Sequence, residues 1–309
     1  MKARRRTTFV AAASLLFSLA ACVIVLRNID RIRPQAPLED ALYVTSPKIV
    51  KRASLGYDGL MACIYWTRAV QYFGHRHFER GSSYNELAPL LEIATHLDPH
   101  LTVVYQFGAS FLAPKPPGGA GEPVRAIQLM EYGIQNNPND WKLYYDLGFV
   151  YYTELKNYAK ASEAFARGAL VPGAHPSMRI LAARMAEHAG DIETARILWT
   201  ETLESNHDDL IKANAAEHLR GLKVDEDIIN LEAAVERFKQ RTGRLPLTMF
   251  ELASAEGIAG IPVDPDGNAY LLTVDGRIEL QHPDDFSFAT KGLPPGYKSP
   301  VKPKFHTKF

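Results

Sequence analysis

The sequence predicts a mainly α protein: an N-terminal transmembrane helix, then a helical-repeat solenoid, then a small α+β module containing a β-hairpin. Three observations predict this. Residues 7–26 carry no charge and stand between basic flanks. Helical segments of like pattern follow the dipeptides Asp98-Pro99 and Asn137-Pro138. Beyond residue 242 the helical period gives way to turn residues and two short apolar runs. The predicted order is a basic leader and anchor over 1–34, a linker and divergent first helix over 35–67, and a repeat array over 68–222. The C-terminal module follows over 223–285, and a basic, proline-rich tail over 286–309.

The N-terminal run is twenty residues long. At about 1.5 Å per residue a helix of that length matches the hydrocarbon thickness. Lys2, Arg4, Arg5 and Arg6 precede it; Arg27, Arg31 and Arg33 follow. An uncleaved signal anchor with a short inside N-terminus is one reading. A second rests on Leu19-Ala20-Ala21-Cys22, which resembles the lipobox of bacterial lipoproteins; Cys22 is then the lipidation candidate. A cleaved signal is the third. All three place the body beyond the bacterial inner membrane, in the periplasm. Charge agrees: residues 1–52 carry a net +7, 286–309 a net +5, and the 233 between them a net −12. An acidic body does not suit nucleic acid, whereas basic ends suit anionic headgroups. The two cysteines, Cys22 and Cys63, exclude a disulfide scaffold and any four-cysteine metal site. Cys63 is expected as a small buried residue.

The array is read next. Residues 55–74 form a divergent first helix with Leu60, Ile64, Trp66 and Val70 as its apolar positions, and a solvated loop carries His75-Arg76-His77. Leu87, Leu91, Ala94 and Leu97 form a second helix, begun by the capping box Ser83 and Glu86. Residues 99–111 supply Pro99, Phe107, Gly108 and Phe111, and their second helix Ala126, Met130 and Gly133. Between those two helices the run Pro114 to Gly119 cannot be helical and is expected as a surface loop. Residues 138–151 carry Leu147, Gly148 and Tyr151; Tyr158, Ala161, Phe165 and Gly168 follow. Ala183, Gly190, Ala195, Trp199 and Thr202 repeat the order. This pattern resembles the tetratricopeptide repeat, in which small residues let paired helices approach and aromatics fill the gaps between pairs.

In that family the first helices line a groove. The resemblance implies a partner-binding surface of Tyr105, Leu112, Lys142, Tyr145, Phe149, Tyr152, Arg184 and Glu187. Aromatic anchors with a few charges suit a peptide or helix of an envelope partner.

Residues 208–222 and 225–241 are predicted as two helices, the second with the stripe Ile228, Leu231, Val235 and Phe238. Thr242 to Pro246 breaks the chain, and Thr248 with Glu251 caps a short helix. Ala269–Val274 and Arg277–Gln281 flank Asp275-Gly276, a hairpin signal. The order Thr242-Gly243-Arg244, a short capped helix, then Asp264-Pro265, Gly267-Asn268 and Tyr270 resembles the C-terminal region of the type II secretion major pseudopilin. The N-terminal run lacks that family's Gly-Phe processing site and glutamate, so the chain is not expected to be a pilin subunit.

Asp264, Asp266, Asn268 and Asp275 have partial calcium-loop spacing, but Ala269 stands at the glycine position. No metal and no cofactor is expected. No HExxH, GxSxG, Walker or GxGxxG element occurs, so the chain is not expected to be an enzyme. The expected function is a membrane-anchored scaffold facing the periplasm. The alternatives are a component of a type IV pilus or type II secretion-like apparatus, and a hydrolase or metal-dependent enzyme with an unrecognised site.

Overall fold

A computed structural model of the chain describes residues 14–25, 27 and 46–298. Among them the protein is mainly helical with one small antiparallel sheet. Residues 14–25 are helical, with Leu15, Leu16, Phe17, Leu19, Val23, Ile24 and Val25 exposed. The predicted span 7–26 lies partly outside the described residues; among these, no helix is long and apolar enough to cross a membrane. Cys22 is described and is a free, exposed thiol.

The body begins with α1 (Pro47–Ala53) and α2 (Asp58–Phe78). Four antiparallel helix pairs follow in register: α2 with α3 (Leu87–Leu97), and α4 (Thr102–Leu112) with α5 (Pro123–Asn136). Next come α6 (Trp141–Phe149) with α7 (Tyr158–Ala169), and α8 (Ser177–Ala189) with α9 (Ile192–Ser205). A π-helical turn, Val150–Glu154, extends α6. Each pair packs on the next, so the core runs unbroken from Val50 to Met185.

The small residues do what the pattern requires. A Cβ on Gly148 would lie 2.5 Å from Phe165, on Gly133 2.7 Å from Tyr105, and on Gly108 2.7 Å from Leu129. Glycine lets a side chain pack directly on the backbone here, an aromatic ring at Gly133 and Gly148 and a leucine methyl at Gly108. Three helix starts in the array are capped by the short polar residue that precedes them. Asp140, Asn157 and Asp191 each accept a backbone N–H from their own first turn.

Several expectations need correction. The Ser83–Glu86 capping box does not form; α3 begins after Glu86 with no side-chain cap. On α2 the buried face is Ala62, Tyr65, Ala69 and Tyr72, while Leu60, Ile64 and Val70 are exposed. Cys63 is exposed too, not buried. The predicted stripe followed the largest aliphatic side chains, but close packing on α3 selects alanine and tyrosine at four- and three-residue spacing. His75-Arg76-His77 is the last turn of α2, not a loop. The run after α4 is a loop as expected, and it is docked: Tyr84 donates its hydroxyl to the Pro117 carbonyl at 2.7 Å.

The two helices predicted over 208–241 are one, α10 (Asp209–Thr242), 34 residues long. Nothing at 222–225 breaks a helix, and the buried acids Glu217 and Asp225 only interrupt its apolar stripe. Gly243, at φ 76°, ends it in the left-handed conformation that suits glycine. Thr248 then caps α11 (Met249–Glu256), accepting the Glu251 N–H at 3.1 Å. The Glu251 carboxylate accepts in turn from Leu247 N–H. The hairpin exists but is shorter than predicted: β1 (Leu271–Leu272) pairs with β2 (Ile278–Glu279) around the Asp275-Gly276 turn.

The boundary predicted at 286 also moves. Phe286 and Ala289 are buried in the module's core beside Ile228, Leu231 and Tyr270. Asp225 anchors this segment, accepting Thr290 N–H and Lys291 N–H at 2.8 Å each and the Thr290 hydroxyl at 2.6 Å. Gly221 gives it room, since a Cβ there would lie 2.8 Å from the Phe288 backbone.

Candidate functional site

The first helices α4, α6 and α8 form one face of the array. Two local hydrogen bonds mark equivalent positions on α4 and α6. Tyr105 donates its hydroxyl to the Pro99 carbonyl at 3.0 Å, and Tyr144 donates to Pro138 at 3.1 Å. Each tyrosine lies six residues after its proline, so Tyr105 is the counterpart of Tyr144. It follows that Val103, Gln106 and Ser110 of α4 correspond to Lys142, Tyr145 and Phe149 of α6.

The predicted groove residues divide on this basis. Tyr105 and Leu112 are buried in the array core, not on the groove. They were projected by equating Gly108 with Gly148, which shifts α4 by one position and turns about 100° of helix face inward. Burial also holds the Tyr105 hydroxyl far above its ordinary range. Lys142 is exposed, and Tyr145, Phe149 and Tyr152 are half-buried. Arg184 is exposed on α8. Glu187 is committed to the junction with α9 and α10. Its Oε1 accepts Trp199 Nε1–H at 2.8 Å and lies 2.9 Å from His218 Nδ1.

Tyr145, Phe149 and Tyr152 do share one side, although Tyr152 stands in the π turn. Ring centroids are 4.7 Å apart for Tyr145–Phe149 and 6.1 Å for Phe149–Tyr152. The series extends beyond them, from Trp141 at 6.3 Å on one side to Tyr158 at 6.1 Å on the other. Their inner edges meet Phe165 of α7, which makes the ladder part of the core as well as of the surface.

Two cavities open along this face. The larger, about 470 Å³, is lined by Gln106, Phe107, Ser110, Lys142, Tyr145 and Asp146, with Trp141, His175 and Ser177 at its edges. The smaller, about 170 Å³, lies between α4 and the π turn and is lined by Ser110, Pro114, Asp146, Phe149, Thr153 and Glu154. Ser110 and Asp146 line both, so the two cavities adjoin at these residues; together they are called the channel, and Asp146 marks its waist. Burial raises the Asp146 carboxyl to about 7; Asp140 pushes the same way and Lys142 opposes. Among the described residues Asp146 has no hydrogen bond or ion pair through its side chain.

Sequence reading missed Gln106, Phe107, Ser110, Asp146 and His175. The signal that finds Gln106 and Ser110 is the proline-to-tyrosine spacing, which carries the α6 groove positions onto α4 without the one-residue slip.

The calcium-loop residues are placed differently from a cation cradle. Asp264 is buried and turned onto its own loop, accepting Asp266 N–H and Asn268 N–H at 2.9 Å each. Asp266 pairs with Arg220 at 2.6 Å and Asp275 with Arg277 at 2.7 Å. Among the described residues no group of three or more His, Cys, Asp or Glu is arranged to hold a metal ion.

No protein-family model matches the chain, and no curated protein matches it.

Proposed function

We propose that the protein is a scaffold of the tetratricopeptide type, tethered to a bacterial inner membrane through residues 7–26, whose groove holds a peptide or helix of an envelope partner in the periplasm. One observation carries the reading: the channel between α4 and α6, reaching the start of α8, lined by the aromatics Phe107, Trp141, Tyr145 and Phe149 among polar groups. Surfaces of that composition bind polypeptide segments through aromatic anchors. The exposed apolar side chains of the helix at 14–25, bracketed in the sequence by Arg residues, support the tether. A second reading, a component of a type IV pilus or type II secretion-like apparatus, draws on the resemblance of the sequence after Thr242 to the pseudopilin C-terminal region, and a long helix, a capped short helix and a hairpin in that order support it.

The test is site-specific photocrosslinking in intact membranes. A benzoyl-phenylalanine at Phe107, inside the channel, is expected to give discrete adducts with envelope protein. The same group at Leu170, exposed at the end of α7, is expected to give none. Equal adducts from both positions, or a full chain released by carbonate washing, refute the reading.

A further inference from the structure

The waist of the channel holds a carboxyl that, among the described residues, has no hydrogen-bond or ion-pair partner for its side chain. Asp146 and Ser110 line both cavities, one from α6 and the other from α4. The groups around it come from every wall. Gln106 and Ser110 stand on α4, Asp140 and Lys142 at the start of α6, Glu154 in the π turn, and His175 before α8. Lys142, one turn back on the same helix, is exposed and forms no ion pair with it among the described residues. The carboxylates outnumber the fixed cations here by three to one. Leaving a carboxylate half-buried and unpaired is costly, and the ordinary remedies are a partner cation or a polar replacement. On either side of Asp146 the mixed lining includes apolar or aromatic surface: Phe107 and Tyr145 in the larger cavity, Phe149 and Val150 in the smaller.

Resting on the groove reading given above, we infer that the channel reads a single basic side chain: the partner segment lays a Lys or Arg across Asp146 and seats large apolar neighbours in the two cavities. Ion pairing at a partly desolvated waist gives the register, and the apolar pockets give the affinity. The raised carboxyl of Asp146 agrees, because an arriving cation stabilises the charged form that burial alone disfavours. A segment carrying Glu at that position meets like charge and is rejected. An uncharged Gln satisfies one carboxylate oxygen but leaves the charge uncompensated.

The experiment uses the full chain in detergent and four immobilised nonapeptide pools. The central residue is Lys, Arg, Gln or Glu, and the flanking positions are randomised over Ala, Leu, Phe and Ser. The Lys and Arg pools are expected to retain the protein at least tenfold more strongly than the Gln and Glu pools. D146N is expected to erase that preference while staying folded, with a melting temperature near neutral pH no lower than the parent's. S110K, which supplies a resident cation from the facing helix, is expected to erase it by an independent route. Retention without a basic preference, or a preference that survives both variants, overturns the inference and leaves the groove standing. Failure of every pool to retain the protein overturns the groove reading itself.

Discussion

Replacing Glu187 with alanine should unfold the C-terminal end of the array more readily, not weaken a groove. One carboxylate oxygen serves Trp199 and His218 together, at 2.8 and 2.9 Å. Trp199 is fully buried and His218 is 4% exposed, stacked between Trp199 and Phe288 at centroid distances of 4.0 and 3.7 Å. Water cannot readily replace the lost acceptor. A buried donor left unpaired costs about 1–3 kcal/mol, so two donors give about 2–6 kcal/mol. At about 2–4 °C per kcal/mol for a body of this size, Glu187→Ala should melt at least about 4 °C below the parent. Glu187→Gln keeps a carbonyl oxygen in the same place and should cost about 1 kcal/mol or less. Arg184→Ala, one turn earlier on the same helix and exposed, should stay within about 0.5 kcal/mol. The assay is a thermal melt of the three variants, followed by near-ultraviolet circular dichroism to report the Trp199 environment. An Ala variant melting within a degree or two of the parent, or an Arg184 variant as damaged as the Glu187 variant, refutes this reasoning.

Gly148→Ala should cost about 1–3 kcal/mol, because its Cβ would lie 2.5 Å from Phe165, and Phe165→Leu in the same chain should recover part of the loss; denaturant midpoints measure both. Asp146 binds its proton more tightly folded than unfolded, so its contribution is greatest below about pH 4 and is lost as pH rises towards 7. Asp146→Asn should therefore match the parent near pH 4 and exceed it near pH 8. The full rise from 3.8 corresponds to about 4 kcal/mol at most, and water access at the channel reduces this to about 1–2 kcal/mol. Asp225→Ala removes the acceptor of three hydrogen bonds from Thr290 and Lys291 and should open that segment to cleavage after Lys291 at least several-fold faster in limited proteolysis.

The helical pairs were legible because close packing leaves a mark on sequence. Gly133, Gly148 and Gly168 stand where a ring or thioether presses on a backbone, and no larger residue fits. The short capped helix was legible because Thr248 and Glu251 act locally. What escaped the sequence was set by partners far along the chain. Leu60 and Ile64 look like core residues until α3 is seen to lie against Ala62 and Tyr65 instead. Glu187 looks like a groove charge until α10 brings His218 to it across 31 positions. The groove on α4 was lost to a one-residue slip: two glycines forty residues apart were aligned, while the two tyrosines bonded to prolines are 39 apart. A channel built of side chains from three helices magnifies such a slip, because each residue of error turns a helix by about 100°.

The continuity of α10 leads to the last prediction. Its N-terminal half packs with α8 and α9 through Ala215 and Leu222, and its C-terminal half packs with the hairpin through Ile228, Leu231 and Val235. No Gly-, Pro- or Ser-rich linker stands between the halves. The array and the module should therefore unfold together, because fraying one end of a shared helix removes the packing surface of the other. Lys223→Pro tests the coupling. Proline deletes the hydrogen bond to the Leu219 carbonyl and clashes with it, which costs about 3 kcal/mol in a helix interior. Lys223→Ala isolates the loss of the exposed Lys223–Asp227 ion pair, at 2.6 Å, which should be worth less than about 1 kcal/mol. The Pro variant should melt in two steps, the module first, because its core is the smaller and now stands on a severed helix. The Ala variant should keep the single transition of the parent. A single, unshifted transition in the Pro variant would mean that the halves of α10 are held independently, and that the module is joined to the array by proximity alone.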